Sequence, residues 1–225
     1  MICLGVLLVF VFNYLDFKDF TDYHFIKKNS EALFIYKREN LFLFFFMFLI
    51  ISILWTFFLG FAFPIAIISG FMFGQWYGTL ISTLSLTVGS TLLYVFARRY
   101  FYQLILDHLE ERIRNYKNLF RKNELFYFML FRLAGGGGTP FAIQNILPVI
   151  FDMKARNYFY ATLFGLVPVI FIVNSLGSGI EGLIEKNENL SYSNIVFEPG
   201  IYLPIIGFLF VLVISIFIKK MLFRK

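Results

Sequence analysis

Long apolar stretches separated by short polar segments predict helices that cross a membrane. A spanning helix needs about 20 consecutive apolar residues, and roughly 18 already make a candidate. Leu41–Phe63, Thr79–Ala97, Tyr158–Gly177 and Gly200–Ile218 fit that length. Met1–Leu15 is shorter and is interpreted as an anchor or first span, because it lacks a basic leader and a small-residue cleavage site. The pattern predicts an all-α polytopic membrane protein with about five spans.

The apolar segment 125–150 is interrupted at its centre, which predicts a hairpin that enters the membrane and leaves on the same side. Inside a helix, glycine costs about 0.8–1 kcal/mol and proline about 3 kcal/mol relative to alanine. Broken backbone is tolerated at membrane depth only where it is buried in protein or lines a cavity. The interrupting residues are Arg132, Gly135, Gly136, Gly137, Gly138 and Pro140.

An earlier interruption, at 61–78, predicts another re-entrant hairpin. In chain order, 61–78 is the first hairpin and 125–150 is the second. Pro64 is expected to break the helix there. Gly70, Gly74 and Gly78 recur at every fourth position, which predicts a helical face without side chains that another backbone can approach. We expect this line of small residues to continue along the next span through Gly89.

Charge predicts the orientation, because short loops rich in Lys and Arg lie on the cytoplasmic side. Both ends of 125–150 are then cytoplasmic, Leu41–Phe63 runs outward, and 61–78 enters from outside. Two hairpins from opposite faces are typical of an inverted repeat around a midplane site. The motifs Pro64-Ile65-Ala66-Ile67 and Pro140-Phe141-Ala142-Ile143 agree with such a repeat. The basic segments are the polar loop Arg98–Lys122, Lys154 with Arg156, and Lys219–Lys225, and the acidic outer loop is Ser178–Pro199.

Arg132 is the one charged residue inside the predicted membrane segments. Placing it there costs at least about 2.5–3.5 kcal/mol, which by default indicates a substrate path or a structural pair. On the first interpretation it is an anion clamp, because a guanidinium stays charged and binds phosphate oxygens bidentately. Alternatively, it snorkels to the inner surface or caps carbonyls that the glycine turn frees.

The residues around Arg132 also allow two interpretations. Gly135–Gly138 could offer backbone N–H groups to a phosphate, or could be a flexible break. Asn145 could satisfy broken backbone or bind a headgroup. Gly165 is assigned to helix packing, and Pro168 is predicted to kink its span rather than touch substrate.

The sequence predicts no enzyme, metal site or cofactor. His24 and His108 lie in polar segments, Cys3 is the only cysteine, and no nucleophile motif occurs. The net charge of +6 follows the membrane pattern, so nucleic acid is not an expected partner. A homo-oligomer is possible.

Two groups of residues resemble the DedA/VTT-domain superfamily of SNARE-associated Golgi-type membrane proteins. The resemblance covers about 41–179, between an N-terminal anchor and polar segment (1–40) and a C-terminal region of outer loop, last span and basic tail (180–225). It departs from the family pattern where glycines replace a proline before Pro140, where Pro148 replaces a glycine after Asn145, and where 61–78 lacks membrane acids. The first group is Pro64, Gly70, Gly74, Gly78, Gly89 and Arg98/Arg99, and the second is Arg132, Pro140, Asn145, Thr162, Gly165, Pro168 and Gly177.

The resemblance implies movement of phospholipid or polyprenyl-phosphate headgroups between leaflets, in a bacterial plasma membrane rather than a eukaryotic endomembrane. The missing membrane acids argue against proton coupling by the route that some members use, and against an ion-coupled solute transporter. The alternative is a scaffold that does not transport and that binds anionic lipid or partners through its basic inner loop.

Overall fold

The computed structural model describes residues 40–185 and, of the last segment, residues 199, 202–204, 206, 207, 209, 210 and 213. Contacts divide the chain into two units, 1–46 and 47–225, and of the first unit only 40–46 are described. The predictions for Met1–Leu15 and the basic tail lie outside the described residues, as do nearly all of those for the polar segment before residue 40. The last predicted span is described only in part.

The described part of the chain is helical and contains no strand, which confirms the all-α class. Within the described residues, three helices are long and apolar enough to cross a membrane: Leu41–Phe58, Phe63–Gln103 and Ala155–Glu181. The elements are α1 (Leu41–Phe58), α2 (Phe63–Lys122), α3 (Glu124–Leu133), a 3₁₀ turn (Gly135–Gly138), α4 (Phe141–Ile146), a 3₁₀ turn (Leu147–Val149) and α5 (Ala155–Glu185).

The segment Arg98–Lys122, predicted to be a polar loop, is helical and forms the end of α2. Leu, Gln, Glu, Arg and Lys predominate in it, and these residues lose little side-chain freedom in a helix. Polarity therefore gave a wrong secondary structure here, because it marks where a chain can meet water and not whether it is helical.

The chain reverses direction twice in its first half. The rings of Phe48 and Phe73 are 5.3 Å apart, whereas an unbroken helix would separate these residues by about 37 Å at ~1.5 Å per residue. That reversal lies at 59–62, between α1 and α2. Inside α2, Gly74 has φ 75° and ψ 175°, and Ser69 Oγ donates to Gly78 O at 2.9 Å across the second reversal. Backbone with these angles is essentially restricted to glycine.

These reversals change the predicted direction of the first span. A Cβ on Gly89 would lie 2.7 Å from Ile53 O, and the rings of Phe57 and Phe96 are 5.8 Å apart. The later residue of α1 therefore contacts the later residue of α2, so α1 and the part of α2 after Gly74 run parallel. The opposite direction predicted for Leu41–Phe63 is wrong, because a reversal at 59–62 precedes the one inside 61–78.

The second half also forms a hairpin, and its two ends meet. The Glu124 carboxylate accepts hydrogen bonds from Lys154 N at 3.2 Å and from Asn157 Nδ2 at 2.5 Å. Between these ends, α3 leads to the glycine turn and α4 leads back. The predicted segment 125–150 thus begins and ends at one place in the structure.

The two halves repeat each other with a spacing of 76 residues. A Cβ on Gly89 would lie 2.7 Å from Ile53 O and from Thr56 Cβ, and a Cβ on Gly165 would lie 2.9 Å from Met129 O and 2.6 Å from Arg132 Cβ. Each residue of the second set follows its counterpart by 76 positions (165 against 89, 129 against 53, 132 against 56). Gly60 and Gly136, both with φ 67°, and Pro64 and Pro140 share this spacing. The counterpart of 125–150 is therefore 49–74, which begins earlier than the predicted 61–78.

Two predicted glycines pack closely against Asn174 in the other half. A Cβ on Gly70 would lie 2.0 Å from Asn174 O, and one on Gly78 would lie 2.6 Å from Asn174 Oδ1. The predicted face Gly70–Gly74–Gly78 does not exist as a single helical face, because Gly74 is the turn and has no atom within 4 Å of its Cβ position. Gly70 and Gly78 do pack closely against another helix, as predicted, but Gly70 lies before the turn at Gly74 and Gly78 lies after it.

Candidate functional site around Arg132

The side chain of Arg132 is 1% exposed and donates hydrogen bonds to three side chains. Nη1 donates to Gln144 Oε1 at 3.1 Å, while Nη2 donates to Asn145 Oδ1 at 2.6 Å and to Tyr158 OH at 2.9 Å. The Tyr158 hydroxyl in turn donates to Asn145 Oδ1 at 3.3 Å. Arginine can only donate, so the amide oxygens of both partners must face it. Arg132 thus ties α3 to α4 and to α5.

Aromatic rings surround the same guanidinium. Its Cζ lies 4.8 Å from the ring centroid of Phe141, 5.0 Å from that of Phe128 and 5.7 Å from that of Tyr158. A cation within about 6 Å of a ring face is attracted by the ring's quadrupole, more strongly where water is excluded. These rings replace part of the hydration that the buried cation loses.

No carboxylate pairs with Arg132 among the described residues, so its charge is not neutralised there. Two buried donors of the cluster, Arg132 Nε and Asn145 Nδ2, also have no hydrogen-bond acceptor in the part of the chain that the structure describes. Buried donors are normally satisfied by protein or by ordered water. The cluster can therefore accept an oxygen ligand, either water or an anionic group.

Gln144 connects this cluster to the glycine turn. Its Nε2 donates to Thr139 O at 2.7 Å and to Gly135 O at 3.3 Å. A Cβ on Gly136, where φ is 67°, would lie 2.0 Å from the Gln144 side chain. Arg132 therefore stabilises the freed carbonyls of the turn through Gln144, which agrees with the capping interpretation in an indirect form.

The remaining predicted site residues lie around the cluster rather than in it. Gly135, Gly138 and Pro140 are exposed, Gly136 is buried and Gly137 lies between them in the turn. Pro64 begins the first limb of α2, and Pro168 lies within α5, which stays helical through it. A Cβ on Gly60 would lie 2.7 Å from Ala142 Cβ, so the first reversal touches the start of α4.

The family model of the VTT domain matches residues 62–179. This match covers more than half of the chain. The chain belongs to the VTT domain family, the DedA/SNARE-associated Golgi protein-like group. No solved structure matches it. In this VTT-domain protein the match contains α2 from its first turn, both 3₁₀ turns and most of α5, so it includes Arg132 and all three of its partners.

Three side chains of the VTT-domain site were not singled out from the sequence: Gln144, Tyr158 and Phe128. Gln144 was visible as an amide in an apolar segment beside Asn145, and that signal could have identified it. Tyr158 and Phe128 carried no such signal, because aromatic residues make up 21% of the chain. Tyr158 and Phe128 belong to the site only because α3 packs against α5, which the sequence does not show.

Replacing Tyr158 with phenylalanine should lower the free energy of unfolding by about 1–2 kcal/mol, since a hydrogen bond to a charged group is lost and Asn145 loses a donor. The ring itself, stacked 4.5 Å from Tyr94, is retained. Thermal or denaturant unfolding in detergent measures the change. Tyr160→Phe, at an exposed tyrosine on the same helix, should change stability by less than about 0.5 kcal/mol. Equal effects of the two substitutions would contradict the assigned hydrogen bonds.

Proposed function

We propose that this protein moves lipid headgroups between leaflets, with phospholipid or polyprenyl phosphate as the cargo. The observation that supports this most is the buried Arg132, whose charge has no carboxylate partner in the described chain and whose Nε has no acceptor. A phosphate oxygen supplies both an acceptor and a counter-charge. Family membership agrees with a membrane protein of the DedA type.

The two hairpins, 49–74 and 125–150, are proposed to be re-entrant and to form opposite halves of one polar path. The turn of the first hairpin, at Gly60, touches Ala142 at the start of α4, and each hairpin contains backbone that is broken within an apolar segment. Such backbone is stable in a bilayer where it lines a cavity. The exposed residues Gly135, Thr139 and Pro140 would form the rim of the path, and Arg132 with Asn145 would attract the headgroup behind it.

Movement of the glycine turn is a required step, because Arg132 is closed off from outside. Gly135, Gly136 and Gly138 all have positive φ, between 62° and 82°. Beyond the neighbouring residues of the chain, no described residue has an atom within 4 Å of the Cβ positions of Gly135 and Gly138, whereas Gly136 is packed against Gln144. Release of Gln144 from the Thr139 and Gly135 carbonyls would uncover the guanidinium.

Purified protein in liposomes with a fluorescent phospholipid should render the inner-leaflet label accessible to a membrane-impermeant quencher. Protein-free liposomes and liposomes with an unrelated membrane protein protect that label. If the inner-leaflet label remains unquenched although the protein in the liposomes is folded, the protein is not a general phospholipid scramblase. The same assay is then repeated with a labelled polyprenyl phosphate. Quenching of that label would identify polyprenyl phosphate as the cargo, and its protection would show that the protein moves neither lipid.

A further inference from the structure

A cleft of about 490 Å³ opens where α2 ends and where α3 and α5 begin, apart from the Arg132 cluster. We propose that this cleft binds a phosphate group through Lys122 and Lys154. The two predicted basic segments, Arg98–Lys122 and Lys154–Arg156, both contribute to it. Its lining is Arg98, Arg121, Lys122, Asn123, Glu124, Leu125, Asp152, Lys154 and Asn157.

Both carboxylates of the cleft are already engaged by other groups. Asp152 Oδ1 lies 2.6 Å from Arg98 Nη2, and its Oδ2 lies 3.6 Å from Arg121 Nη2. Glu124 accepts from Lys154 N and from Asn157 Nδ2. The acids of the cleft therefore contact its walls, and no ion pair joins either of them to a lysine side chain among the described residues.

The ammonium groups of Lys122 and Lys154 are exposed and have no ion pair within the described ranges. With four cations and two carboxylates in the lining, the cleft has a net charge of +2. A phosphate monoester carries roughly −1.5 to −2 at neutral pH and offers three acceptor oxygens. The charge and the donors of the cleft match that group.

The ends of the helices add a smaller positive contribution to the electrostatic potential of the cleft. The N-termini of α3 and α5 carry partial positive charge toward the cleft, and the C-terminus of α2 offsets one of them. The volume lies within the range of about 300–1,000 Å³ that small-molecule sites occupy. A phosphate with a headgroup or part of a lipid attached would fit. The shared chemistry is the phosphate, which either a lipid or free phosphate can supply.

Binding to the full-length protein in detergent micelles tests the proposal with three probes: inorganic phosphate, short-chain phosphatidic acid and phosphatidylcholine of equal chain length. We expect saturable binding of phosphate or phosphatidic acid, and weaker binding of phosphatidylcholine. The double variant Lys122→Gln/Lys154→Gln should weaken binding about 100-fold, at roughly tenfold or 1.4 kcal/mol for each lysine. Each single substitution should give about a tenfold loss, which keeps the test valid if the double variant folds poorly.

The matched control is Arg99→Gln/Arg156→Gln, which removes the same charge at exposed positions that do not line the cleft. We expect less than about a threefold loss for it, because exposed charges act only weakly at a distance in salt. Equal losses in the two double variants, or no saturable binding of either phosphate probe, would overturn the proposal. Saturation by phosphatidic acid alone identifies a lipid site, and saturation by both probes identifies a site for the free anion too. Neither result depends on whether the protein transports lipid.

Discussion

Replacing Gly70 with alanine is expected to lower the free energy of unfolding by about 2–3 kcal/mol, the upper part of the range for overpacked sites. The new methyl group would lie 2.0 Å from Asn174 O and 2.6 Å from Asn174 Cα. These are backbone atoms of α5, so no side-chain rotation can relieve the overlap. The helices must separate, which also strains the hydrogen bond of 3.0 Å from Asn174 Nδ2 to Ser82 Oγ. Thermal unfolding in detergent, with size-exclusion chromatography, measures the loss.

The same substitution elsewhere on the chain provides both a second test and a control. Gly177→Ala should destabilise similarly, because its methyl group would lie 2.2 Å from Ile67 O. Gly207→Ala places a methyl group 3.8 Å from Ile172 Cγ1, which is an ordinary contact. It should be neutral or stabilising by up to about 1 kcal/mol, since alanine favours a helix over glycine. If Gly70→Ala proved as stable as Gly207→Ala, the close crossing of α2 and α5 would be wrong.

The sequence identified glycines that pack but not the partners that they contact. Small residues at every fourth position indicated a close approach, and the structure places Gly70 and Gly78 against Asn174. The same spacing included Gly74, which is a turn and not a contact. Spacing alone cannot distinguish these roles, because both require a residue without a side chain.

The second hairpin was predictable because its interruption is strong: one cation, four glycines and a proline within an apolar segment. The first hairpin carries weaker signals, since a single glycine makes each reversal and a long apolar stretch precedes Pro64. The direction of Leu41–Phe63 was therefore assigned incorrectly. The 76-residue repeat was visible only as Pro-x-Ala-Ile, because its most informative pair, Thr56 and Arg132, shares position and not chemistry.

That pair also shows where the two halves differ in chemistry. Thr56 is buried against Gly89, and its hydroxyl donates to Ser52 O at 2.8 Å within its own helix. Arg132 occupies the corresponding position against Gly165 and reaches instead across to α4 and α5. The two halves thus have similar backbones at this position, and only the second half places a cation, Arg132, there. An anionic headgroup is expected to bind in the second half.

Replacing Arg132 with glutamine is expected to abolish lipid movement in the liposome assay and to destabilise the protein. The Gln144 amide oxygen loses its described donor, which costs about 1–3 kcal/mol, and Asn145 Oδ1 loses its shorter hydrogen bond but keeps the one from Tyr158. Removal of a buried charge recovers part of that cost, so the net loss should be smaller than the sum. Arg156→Gln is the control, because Arg156 is exposed and its described contact is with the Tyr160 ring at 5.9 Å. It should alter stability by less than about 0.5 kcal/mol.

Arg132→Lys separates the charge of this residue from its geometry. Lysine keeps the cation but lacks the planar fork that reaches Gln144 and Asn145 together, so it should destabilise the hairpin about as much as glutamine does. If Arg132 acts on the headgroup by charge, the lysine variant should retain measurable lipid movement where the glutamine variant has none. If Arg132 only holds the turn in place, the two variants should lose movement equally, in proportion to their lost stability. Equal losses would remove Arg132 from the path and leave it as the structural clasp of the second hairpin.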